Sequence, residues 1–78
     1  MNFPVRRGTP LYQAQLQARA LNAWRDAELV VRARWDAFLV ADGALRGDAF
    51  AAYVAALDAE AAAAGDLVDA SSDLAEAA

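Results

Sequence analysis

Residues 24–57 read WRDAELVVRARWDAFLVADGALRGDAFAAYVAAL, and this stretch decides the fold. Trp24, Val31 and Phe38 recur every seven residues, with Ala27 between them and Trp35 alongside. Such a period places one apolar seam along a helix, because seven residues make close to two helical turns. Asp42-Gly43 then interrupts the pattern, and Phe50 and Leu57 resume it at the same spacing. Two helices with a short connection between them pack antiparallel. The expectation is an all-α chain: an antiparallel two-helix hairpin, dimerising into a four-helix bundle.

Working outward, Ala20 and Leu21 extend the first seam towards the N-terminus. Thr9-Pro10 marks its start, since Thr caps free backbone N–H groups and Pro at the first helical position forfeits no hydrogen bond. Residues 1–8, punctuated by Pro4 and Gly8, read as an extended arm. The first helix is expected over about 10–41, ended by Gly43 in a left-handed conformation. A loop over 42–47 follows, and Asp48 caps a second helix. That helix covers about 48–64 and continues towards 77, because the register of Tyr53, Leu67 and Leu74 passes through Gly65 without a slip. Phe50, Leu57 and Ala64 are assigned to one seam row and Tyr53, Leu67 and Leu74 to the next, flanked by Val54, Ala61 and Val68. Folding the chain about residues 44–45 sets Phe38 beside Phe50, Trp35 beside Val54 and Val31 beside Leu57. Trp24 then faces Ala61, Ala64 and Gly65.

The charge is unevenly divided. All seven basic residues are arginines lying between Arg6 and Arg46, and with Asp26, Glu28, Asp36 and Asp42 they give residues 1–46 a formal +3. Residues 47–78 carry seven acids and no base, a formal −7, so the whole chain stands at −4. A second helix folded back on the first brings the two signs together. Arg34 interrupts the apolar seam and is expected either to run its guanidinium out to the edge or to meet a carboxylate of the second helix, with Glu60, also on a seam position, the candidate.

Composition narrows the function classes. There is no Cys and no His, which removes disulfides, thiolate ligation and the commonest general base. No phosphate-binding loop or calcium loop is spelled out. The chain is therefore read as a non-enzyme without cofactor or metal. Its negative charge speaks against direct nucleic-acid binding. No apolar run has the ~20 residues of a membrane span, and the N-terminus lacks the order of a signal peptide; a cytoplasmic protein without membrane contact is expected. Arg46-Gly47-Asp48 spells an adhesion tripeptide, but Asp48 is accounted for as a cap. The Trp-x-Gly turn of type VII secretion hairpins is absent, Leu45-Arg46-Gly47 standing in its place.

What remains is interaction. Leu11, Leu29 and Val40, with Ala18 and Ala33, form a second apolar row on the first helix, roughly opposite the seam, and Leu39 adds to it. A row of this kind points to an interface, either with a second copy or with a larger protein complex. Asp66, Asp69, Asp73 and Glu76, spaced three, four and three apart, form an acidic stripe on a continuous helix. The chain is thus expected to be a small structural or adaptor component docking by an apolar face. The alternative is an acidic inhibitor, of the kind phages direct against CRISPR systems, covering a nucleic-acid-binding surface of its target through that stripe.

Overall fold

The computed structural model describes residues 9–77; the expected arm, with Arg6 and Arg7, lies outside them. Two helices, α1 (Pro10–Val40) and α2 (Gly43–Ala77), pack along their length as a hairpin within a rod of 64 × 19 × 13 Å. The start of α1 follows local chemistry. Thr9 stands at the N-cap in an extended conformation, Pro10 opens the helix, and the Thr9 carbonyl accepts the Gln13 N–H at 3.0 Å. The Thr9 side chain makes no capping bond.

The connection is shorter than expected. Only Ala41 and Asp42 lie between the two helices, so residues 43–47 are helical rather than a loop. Ala41 is extended, with φ −72° and ψ 137°, and no glycine among the described residues has positive φ. Gly43 is therefore not a left-handed stop; it opens α2. Asp42, not Asp48, precedes the first helical residue, and its carbonyl accepts the Leu45 N–H at 2.8 Å. An early start brings Arg46 into helical geometry, and its guanidinium lies 4.4 Å from the Phe38 ring centroid. That cation–π contact is absent from a loop reading and favours the longer helix. Arg46-Gly47-Asp48 is thus a helical segment, not a presented loop.

Register is even from end to end. Phe38 meets Phe50 with ring centroids 5.4 Å apart, and Gln17 Nε2 donates to Ser71 Oγ at 3.3 Å. These pairs are separated by three heptads on each helix, so both seams keep a seven-residue period without drift. On α1 the seam rows are Gln17, Trp24, Val31 and Phe38, and beside them Gln13, Ala20 and Ala27, with Ala41 continuing the second row just past the helix end, all buried or half-buried. Arg34, which falls in the second row, is exposed.

On α2 the packed face is turned by one residue from the expected one. Tyr53, Glu60, Leu67 and Leu74 form one row as expected. The other is Ala49, Ala56, Ala63, Ala70 and Ala77; of the expected Phe50, Leu57 and Ala64, Leu57 is exposed, Phe50 keeps its contact with Phe38 and Ala64 is half-buried. Ala56 is the one buried apolar residue among those described, at 7% exposure. The reason is steric: an alanine every seven residues on α2, with Ala20 and Ala27 on α1, permits a close approach that Phe and Leu would hold apart.

Gly65 lies inside α2, and a methyl group built on it meets nothing within 4 Å. Gly65→Ala should therefore raise stability by about 1 kcal/mol through helix propensity alone. Thermal unfolding followed by circular dichroism checks this, and a lowered Tm would reveal an unrecognised close contact.

Candidate interaction surface

Two cross-helix polar bonds anchor the seam. Trp24 Nε1 donates to Glu60 Oε2 at 2.9 Å, and Gln17 is tied to Ser71 as above. An indole N–H taken partly out of water needs an acceptor, and Trp24 finds one across the seam. Glu60 is therefore the partner of Trp24, not of Arg34, whose side chain points to solvent. Trp24 does not seat against Gly65, over which space is open, and Ala61 is exposed. Nearer the open end, Gln13 is 1% exposed and its Oε1 has no hydrogen-bond partner. Gln13 and Gln17 were not singled out from the sequence, although each extends a seam row by seven residues towards the N-terminus.

The Trp24–Glu60 bond predicts an asymmetry between two substitutions. Glu60→Gln keeps an acceptor oxygen and should be nearly neutral, whereas Glu60→Ala should cost about 1 kcal/mol by orphaning the indole N–H. Denaturant melts with Trp emission as the probe distinguish them; equal midpoints would mean that the bond contributes nothing.

At the turn end, four rings interlock. Trp35 packs on Phe38 at 5.5 Å and on Tyr53 at 5.0 Å, and Phe50 lies 6.3 Å from Tyr53. Trp35 was expected beside Val54; the one-residue turn of α2 presents Tyr53 instead. All four ring pairs are tilted at 34–57°, within the range favoured by aromatic quadrupoles.

The expected partner-binding residues divide into two groups, and the structure exposes a third that was not expected. Leu11, Leu29 and Val40 are 74%, 62% and 81% exposed, and Leu39 is exposed as well. They lie as a row along α1, with Leu11 and Val40 at its two ends about 43 Å apart along the axis. Asp66, Asp69 and Glu76 are exposed and Asp73 is half-buried, all on one side of a helix that runs unbroken through Gly65. Among the described residues no cluster of three or more acidic side chains converges as a metal site would require. No described helix is long and apolar enough to cross a membrane.

The third group was missed as a surface because it was assigned to the core. Phe50, Val54, Leu57 and Val68 all remain exposed, Phe50 by 49% and Val68 by 63%. With the half-buried Ala64 and the exposed Ala61 they make a stripe spaced four and three in alternation, directly beside the seam. The signal was present in the sequence as more apolar heptad rows on α2 than a single neighbouring helix can cover. Compared with family models, with curated proteins and with solved structures, the chain matches none.

Proposed function

We propose that this chain is a non-enzymatic interaction module, a small helical-hairpin component that self-associates or docks through an apolar helix face. One observation carries the reading: the hairpin leaves most of its large apolar side chains in water. Among the described residues twelve large apolar side chains are exposed, Leu11, Val40 and Val68 by 74%, 81% and 63%, far more than scattered single exposure requires. A rod with two buried residues among those described has little with which to offset chain entropy unless a further surface is covered.

Sedimentation equilibrium across concentration, at low and high salt, tests this. Association that persists at high salt is expected, because apolar contacts are not screened whereas acidic docking is. A compact monomer at millimolar concentration, with no partner captured at high salt from its native source, would overturn the reading.

A further inference from the structure

We infer that the α2 stripe of Phe50, Val54, Leu57, Ala61, Ala64 and Val68 is the contact with a second copy of this chain, whose α2 runs antiparallel across it about a two-fold axis near residue 59. This rests on the interaction-module reading and specifies its occupant and its geometry.

The argument for a second copy comes from the order of sizes along the stripe. A two-fold contact requires that if one residue meets another, the second meets the first. Reversed about its midpoint, this stripe sets Leu57 against the second copy's Ala61, Val54 against its Ala64 and Phe50 against its Val68. The large side chains occupy the N-terminal half and the alanines follow, so the reversed copy supplies a small residue opposite each of the two central large ones. Large-to-small matching is what lets two helices interdigitate at native packing density. A parallel arrangement would instead stack Leu57 on Leu57 and alanine on alanine, leaving bulges and gaps.

The charges beside the axis agree with the same placement. By the Phe38–Phe50 register, residue 59 lies level with Leu29 on α1. There Arg25, Glu28 and Arg32 read plus, minus, plus in either direction. An antiparallel copy therefore sets its own Arg25 and Arg32 on either side of Glu28, and two carboxylates share four guanidiniums. Asp58 flanks the axis in both copies, a like-charge cost that an exposed rim position keeps small.

Val54, Leu57, Ala61 and Val68 are exposed in the isolated hairpin, so they can be changed without disturbing the α1–α2 seam, whereas Phe50 also packs on Phe38. Ala61→Glu buries one charge per copy at the centre of the contact. It should weaken the dimer by at least about 100-fold while keeping the helical signal. Leu29→Glu, on the outer side of α1, should leave the dimer intact. Because the chain lacks cysteine, spin labels can be placed singly at Asp48→Cys or Ala62→Cys. In the antiparallel dimer the axial separation of equivalent labels grows by ~3 Å for each residue from the midpoint, to ~33 Å at position 48 and ~9 Å at position 62.

Equal separations at both positions would mean that α1 of one copy lies over α2 of the other, and the inference falls with the module reading intact. Dissociation by Leu29→Glu rather than Ala61→Glu would move the contact to the outer face of α1, with the same consequence. A chain that stays monomeric but binds another protein through this stripe refutes the second copy and keeps the module.

Discussion

Ala56→Leu should lower the stability of the hairpin by about 1–3 kcal/mol, and the same change at the adjacent Ala55 should leave it within about 0.5 kcal/mol of the parent. Ala56 is 7% exposed and belongs to the alanine row that faces α1, level with Arg32 and one residue from Val31 by the Phe38–Phe50 register. Three added carbons there must push the helices apart or force strained rotamers, and the loss spreads to Trp24 and Tyr53 on either side. Ala55 is exposed, so a leucine at that position meets only solvent and its own helix. For a domain of this size the difference amounts to roughly 5–20 °C in Tm. Parallel thermal melts of the two variants provide the check. If both melt together, the alanine row is not the packing face.

That row was also the hardest part of the fold to read from the sequence. The hairpin and its register were legible, because Trp24, Val31 and Phe38 repeat at seven and Phe50 answers Phe38 across the turn. Which face of α2 turns inward was not. Phe50 and Leu57 are more apolar than Ala49 and Ala56 and share their period, so hydrophobicity alone selects the wrong row. The deciding quantity is the separation of the helix axes, which small residues reduce and which no single helix reveals. Glu60 illustrates the same limit. Its seam position could be read from spacing, but its partner depended on the reach of an indole N–H across the interface, and Trp24 took the place expected of Arg34. The interaction stripe was hidden for the related reason that its members had already been assigned to the core.

The turn offers a sharper test of what sets the start of α2. Two starts compete: Gly43, as observed, and Asp48, a good N-cap preceded by a loop over 42–47. Extending the helix back through Gly43 and Gly47 costs about 1 kcal/mol for each glycine relative to alanine. The offset comes from Phe38, whose ring packs on Trp35 and Phe50 and lies under the Arg46 guanidinium. Phe38→Ala should therefore do two things. It should destabilise the hairpin by about 2–4 kcal/mol, short of the largest core truncations because Phe38 is only half-buried. It should also release residues 43–47 from the helix, so that α2 begins at Asp48. Amide hydrogen exchange reads the second effect directly, as lost protection around Leu45–Gly47 while Tyr53 onward stays protected. Arg46→Gln alone should remove only the cation–π share, about 0.5–1 kcal/mol, and a double-mutant cycle with Phe38→Ala isolates that coupling. Unchanged protection at 43–47 in Phe38→Ala would show that the two-residue connection, rather than the ring cluster, dictates where α2 starts.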